Sequence, residues 1–162
     1  LSRRQRQMCI RDSFMSHLLS KDTFDHFYFI EASIKMGVSY QIQGRINEGF
    51  YDTSVEQTLN REFCYWKEIR HRIFDIIKGK RLPLSCKIVL GLSKQSISYL
   101  IAHNNSSFRE EDIEGIYINI LYDQKNLLIT TGISYKNFSL DKSLEYAFDE
   151  YLAKFLKEKA VI

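Results

Sequence analysis

The sequence predicts an α+β domain, with two β-hairpins plus a lone strand in a largely antiparallel sheet packed by three to four helices. Three observations carry this. The apolar period switches from about 3.6 to 2 and back along the chain. The alternating stretches come in pairs around polar turns, whereas "CKIVLGL" (86–92) stands alone. The resulting order, α, ββ, α, β, α, ββ, α, does not alternate strand with helix as a doubly wound fold would.

"SFMSHLLSKD" (13–22) places Phe14, Met15, Leu18 and Leu19 on one helical face. In "FDHFYFIEASIKMGVSYQIQGRI" (24–46) the period changes. Tyr28, Ile30, Ala32 and Ile34 alternate, then Val38, Tyr40 and Ile42, which predicts a hairpin turning near Gly37. From Asn47 to Arg61 the pattern is irregular, with Gly49, Asp52 and Ser54, and reads as a loop. "FCYWKEIRHRIFDIIKG" (63–79) then sets Phe63, Trp66, Ile69, Ile73, Phe74 and Ile77 on one stripe of an amphipathic helix. Gly79 suits the left-handed position after its last turn, and Pro83 follows.

"CKIVLGL" is β-branched and nearly continuously apolar, as a strand buried on both faces would be. Ser93 caps a following helix that Asn104 and Asn105 stop. Ser107 and Glu110 have capping-box spacing for one further turn before Gly115. "IYINILYDQKNLLITTGIS" (116–134) alternates on both sides of an Asp123–Asn126 turn and forms the second hairpin. Ser139 caps a last helix whose stripe is Leu144, Ala147, Phe148, Tyr151, Leu152 and Phe155. Asp141 lies where the helix dipole favours an anion.

The opening "RRQRQMCIRDS" (3–13) invites two explanations. A basic arm ahead of a domain neutralises phosphates and releases counterions. Yet a widely used transposase-based sequencing adapter translates in one frame to the same residues from Arg3 to Ser13. Residues 1–13 are therefore read as adapter-derived and left out of the functional argument, with the natural sequence starting near Phe14 and its true first residues lost. The 23 basic and 20 acidic residues include Arg3, Arg4, Arg6, Arg11 and Asp12, so 19 of each remain and the net charge falls to zero. The apparent basic character belongs to the opening segment. A strand drawn near Met8 to Arg11 is expected there, from Met-Cys-Ile alone.

The 149 residues after Ser13 suit one domain. With 44% apolar and 14% aromatic residues, the chain has material for a packed core and is no disordered tail. No apolar run approaches the ~18 residues that span a bilayer, so no membrane partner is expected. Cys64 and Cys86 lack paired spacing, which predicts reduced thiols in a cytoplasmic protein.

"TFDHF" (23–27), "QGRIN" (43–47), "WKEIRHRIFDIIKGKRLPLSCKIVL" (66–90) and "TTGISYKNFSLDKSLE" (130–145) resemble a small domain-of-unknown-function family found mainly in anaerobic Gram-positive bacteria. The resemblance covers nearly the whole chain from about Phe14. It implies no activity, cofactor or catalytic residue that transfers.

Four sets of residues are candidates for chemistry. The run from Lys67 to Arg81 holds Lys67, Arg70, Arg72, Lys78, Lys80 and Arg81 against Glu68 and Asp75, with "KGKR" as a basic loop for phosphate or nucleic acid. The plainer account, which is preferred, is that cations suit a helix C-terminus and solvate that face. Thr131, Gly132 and Asp141 could rim a polar pocket beside a helix N-terminus, against a bulge at Gly132 and a simple cap. Cys64 and Cys86 are read as small core residues rather than nucleophiles. His17, His26, His71 and His103 lack metal-ligand spacing, and no glycine-rich phosphate loop, serine elbow or paired-carboxylate motif is present, so neither a metal nor a cofactor is expected.

The expectation is a domain that acts by binding, with no catalysis of its own. A protein-interaction or regulatory module comes first, since balanced charge and many tyrosines suit interfaces. A nucleic-acid or phosphate-ligand binder using Lys78 to Arg81 comes second, and a small enzyme with a pocket between the second hairpin and the last helix third.

Overall fold

The computed structural model describes residues 3–51 and 60–162. Helix α1 (Arg3–Leu19) buries Phe14, Leu18 and Leu19, as their spacing predicts. It also runs back through Met8 to Arg11, where a strand was expected. Arg and Gln are good helix formers, and the segment extends an established helix rather than needing a pairing partner of its own.

Strands β1 (Tyr28–Lys35) and β2 (Ser39–Gln43) form the first hairpin, closed by the Met36 N–H on the Val38 carbonyl at 3.1 Å. The expected phase of β1 holds only in its second half. Ala32 and Ile34 face the core, but the register shifts between Phe29 and Glu31, so Phe29 is buried and Tyr28 and Ile30 turn away. A bulge at Ile30 explains this, because one extra residue reverses the side-chain phase.

Gly44 is the reason the bulge can close. Its N–H donates to the Ile30 carbonyl at 2.8 Å, and a Cβ placed there would lie 1.8 Å from the Phe29 carbonyl oxygen. The returning chain is stitched alongside: the Cys64 N–H meets the Gly44 carbonyl at 2.9 Å, and the Phe29 N–H meets the Cys64 carbonyl at 2.8 Å. Of the expected 47–61 loop, residues 52–59 lie outside the described residues, and Glu48–Phe50 forms a 3-10 turn.

Helix α2 (Trp66–Ile77) starts later than its stripe suggests, because the Glu68 carboxylate accepts the Tyr65 N–H at 2.6 Å and so fixes the first turn. Phe63 therefore lies outside the helix, bridged to Arg45, and Phe74 is 36% exposed. Trp66 is fully buried and its indole N–H donates to the Leu18 carbonyl at 2.8 Å, which locks α2 to α1. The helix ends with Lys78 extended and Gly79 at φ +151°, a positive-φ position that glycine favours, though outside the left-handed helical region expected for it.

Strand β3 (Ser85–Gly91) buries Cys86, Ile88, Val89 and Leu90, while Lys87 points outward, 3.9 Å from Glu31. Helix α3 (Lys94–His103) is capped by Ser93, whose hydroxyl accepts the Ser96 N–H at 3.3 Å. Asn105 follows at φ 47°, in the left-handed region. The next turn, Glu110–Asp112, is not capped by Ser107. Asp112 accepts the Arg109 N–H at 2.8 Å, and the Ser107 hydroxyl instead donates to Asp141 at 3.1 Å.

Strands β4 (Ile113–Asp123) and β5 (Leu127–Tyr135) form the second hairpin. Its turn is held by the Asp123 carboxylate, which accepts the N–H groups of Lys125 and Asn126, both at 2.7 Å. Helix α4 (Ser143–Glu158) follows. Ser139 is not its cap: the Ser139 hydroxyl accepts the Asp141 N–H at 3.1 Å, and the Asp141 carboxylate accepts the Ser143 N–H at 2.9 Å. The helix buries Leu144, Phe148, Leu152 and Leu156, with Ala147, Tyr151 and Phe155 packed at the margin.

The five strands form one antiparallel sheet in the order β2-β1-β3-β4-β5, so the lone strand sits between the two hairpins. Its inner face, with Phe29, Ala32, Ile34, Ile88, Leu90, Ile116, Ile118 and Ile120, forms one cluster with the apolar sides of α1, α2, α3 and α4. The outer face carries Ser33, Gln41, Lys87, Leu121 and Leu128, and Val89 is buried on it, so the two-sided burial expected of β3 holds at Val89 and fails at Lys87. The fold is the α+β architecture the sequence predicts. Among the described residues, no helix is long and apolar enough to cross a membrane.

Candidate functional site

The basic run does not form one surface. Arg70 is buried, its Nε 2.8 Å and Nη2 3.2 Å from the two carboxylate oxygens of Asp25. It ties α2 to the "TFDHF" turn. Lys78 pairs with Asp75 at 2.8 Å, and that ammonium holds the Asp75 carboxyl below its ordinary range. Lys80 and Arg81 stand exposed in the loop that leads to β3.

Thr131, Gly132 and Asp141 are likewise dispersed. Thr131 faces the helices and donates its hydroxyl to Asp149 at 2.6 Å. Gly132, next along the strand, belongs to the opposite face, where the Asn119 amide nitrogen would be 3.9 Å from a Cβ placed on it. It pairs with Tyr117 in unbroken register, and the bulge in this hairpin falls instead between Ile113 and Gly115. Asp141 is occupied with the Ser143 N–H, the main cause of its lowered pKa, and with Ser107. The first free N–H of α4 is thus already answered by a carboxylate of the chain itself.

Both thiols are poor nucleophiles. Burial pushes the Cys86 thiol up to about 12. Burial first and the Glu68 charge second push Cys64 up to about 11. Among the described residues, no group of three or more His, Cys, Asp or Glu side chains is placed to hold a metal ion.

The structure brings together two clusters that sequence reasoning missed. Where the chain enters α2, Tyr28 lies against Tyr65 (ring centroids 5.3 Å) and Phe63 (6.3 Å). Arg45 covers Phe63 at 5.1 Å and Arg61 covers Tyr65 at 4.6 Å. Arg45 pairs with Glu62, and Arg61 grips Glu68 at two points, holding the Glu68 carboxyl below its ordinary range. Each guanidinium is neutralised by its own glutamate, so this cluster reads as a brace for the returning chain. The sequence hides it because Phe63 falls on the spacing of the helical stripe although the helix begins at Trp66.

The second cluster lies at the far edge of the sheet. Among the described residues β5 pairs with β4 alone, leaving its other edge without a neighbouring strand. Its sequence, "LLITTGISY", carries no charge and no proline, the devices that usually blunt an edge. Between this strand and the outer flank of α4 runs a groove of about 550 Å³ lined by Ile129, Thr131, Asp149, Leu152, Ala153 and Leu156 among others. Among the described lining residues, which include Ile162, Asp149 is the one with a charged side chain. The missing charges were visible in the sequence, but only the strand order shows that they are missing from an edge.

A smaller crevice of about 200 Å³ separates the "TFDHF" turn from the start of α3 and the end of α4, with Thr23, His26, Ser93, Ser96 and Lys159 on its walls. Ser93 and Ser96 hydrogen bond to each other there at 3.1 Å.

Sheet, edge and groove define the class: among the described residues, an α+β domain with helices on one face of its sheet and an edge strand beside a largely apolar groove. The chain belongs to a family of unknown function (DUF5721), whose model matches residues 17–162. No curated protein and no solved structure matches it.

Proposed function

We propose that residues 14–162 act by binding another protein, as a non-catalytic interaction or regulatory module in the cytoplasm, and that residues 1–13 are adapter-derived and play no part. The observation that carries this reading is the free β5 edge above its apolar groove, an arrangement suited to main-chain pairing with a partner. The balanced charge beyond residue 13 supports it, since the electrostatic term that dominates nucleic-acid binding is small. Cys64 and Cys86, free thiols among the described residues, support a reducing compartment.

The test is affinity capture of the tagged chain from its native host, with nuclease treatment and chemical crosslinking. One stable, nuclease-resistant protein partner is the expected result. Nuclease-sensitive material would favour the second reading, nucleic-acid or phosphate-ligand binding through the exposed Lys80 and Arg81 with Lys78. Loss of that material in Lys80→Ala/Arg81→Ala would assign it to the loop.

A further inference from the structure

We propose that the outer edge of β5 takes an extended segment of another protein as a sixth strand, with a lysine or arginine of that segment on Asp149 and apolar side chains two residues to either side. The inference rests on the protein-interaction reading and names its site and its ligand.

The strand pairing determines which groups are available. The Asp123 N–H donates to the Asn126 carbonyl at 3.0 Å, making 123 and 126 a hydrogen-bonded pair. Antiparallel pairs alternate between bonded and non-bonded. In the register Leu121↔Leu128, Asn119↔Thr130 and Tyr117↔Gly132, these are therefore the pairs bonded to β4. Leu127, Ile129, Thr131 and Ile133 direct their N–H and C=O groups away from β4, toward the open edge. The same residues turn their side chains to the helix face, where Ile129 and Thr131 line the groove. An added strand would satisfy the outward backbone groups and set every second side chain against α4.

The groove specifies those side chains. Leu152, Ala153, Leu156 and Ile129 offer apolar contact. Asp149 accepts the Thr131 hydroxyl at 2.6 Å and has no cationic partner among the described residues. Asp149 is exposed at the margin of this open groove, where a cation from a neighbouring strand can reach it, and a charge-assisted hydrogen bond is the stronger kind. A second copy of β5 fits less well. Residues 127–135 contain no lysine or arginine, so strand self-pairing would bring two Asp149 carboxylates together with no counter-charge from either strand.

The full chain is titrated with a synthetic peptide, Ser-Val-Thr-Lys-Thr-Val-Ser, and with variants carrying norleucine or glutamate for the lysine. The readout is backbone amide shifts. Shifts confined to residues 127–133 and the 149–156 face of α4, with affinity falling about tenfold or more when lysine becomes norleucine, support the proposal. Thr131→Pro removes an outward N–H and should abolish binding. If Thr131→Pro disturbs the fold, Asp149→Lys serves instead and should reverse the preference to the glutamate peptide.

Peptide shifts elsewhere on the molecule, no shift at millimolar peptide, or dimerisation through β5 would each overturn the proposal. A captured protein that crosslinks to the outer sheet face would leave the interaction reading standing while this site fell.

Discussion

Arg70 and Asp25 form a two-point ion pair, 2.8 and 3.2 Å, between a helix and a turn that are 45 residues apart in sequence. Both side chains are nearly buried, 11% and 13% exposed. An arginine in the middle of a basic run is thereby turned into a structural clamp, and losing either partner strands the other. Arg70→Ala or Asp25→Ala should each cost about 3 kcal/mol or more in urea denaturation. Arg70→Lys should recover only part of this, because an ammonium cannot reproduce the fork. If the two single changes prove additive in a double-mutant cycle, the clamp is not coupled as described.

Gly44→Ala should be among the most damaging single changes. The added methyl would lie 1.8 Å from a backbone oxygen, and neither strand can yield without disturbing the bulge at Ile30. A loss of about 3 kcal/mol is expected, read as a fall in Tm. Gly37→Ala is the control, since nothing lies within 4 Å of the position its methyl would take. Equal effects at the two glycines would defeat the close-approach argument.

His17 gives the domain an acid-sensitive point. Burial first and the neighbouring Lys21 second lower its pKa, and its ring nitrogens lie 2.7 Å from the Thr23 hydroxyl and 3.4 Å from the Lys21 ammonium. The folded state therefore binds its proton less readily than the unfolded chain. Stability is fully present above the unfolded value near 6.5 and falls as pH drops through the lowered folded value. Denaturation midpoints between pH 7.5 and 5 should show this decline, and His17→Gln should flatten it.

Cys64 and Cys86 act in the opposite sense. Their folded pKa values, about 11 and about 12, lie above the ordinary 9.0, so their contribution is intact below pH 9 and is lost as pH rises through the folded values. In a chain carrying Cys9→Ser, a thiol reagent at pH 8 should label neither cysteine until denaturant is added. Fast labelling of the half-buried Cys64 in the native state would contradict its raised pKa.

Much of this fold is legible in the sequence because it is encoded locally. The 2-period of residues 113–135 and the 3.6-period of residues 66–77 and 143–158 need only near neighbours to express them. So does Ser93, whose cap depends on an N–H three residues away. Ser139 and Ser107 look like caps by the same rule and are not. Asp141 accepts the Ser143 N–H and Asp112 accepts the Arg109 N–H, and which side chain serves each turn is settled only once the loops pack.

Phe29, Arg70 and Thr131 show where local reading ends. Phe29 faces the core because Gly44 and Cys64, far along the chain, close a bulge that reverses the phase of β1. Arg70 is a clamp because Asp25 waits for it under α2. Thr131 lies on a sheet edge because β3 inserted between the two hairpins and left β5 outermost. Periodicity records which side of an element is apolar. The order in which elements pair, and so which backbone groups stay free and which charges are neutralised, depends on long-range contacts that no stretch of sequence contains by itself.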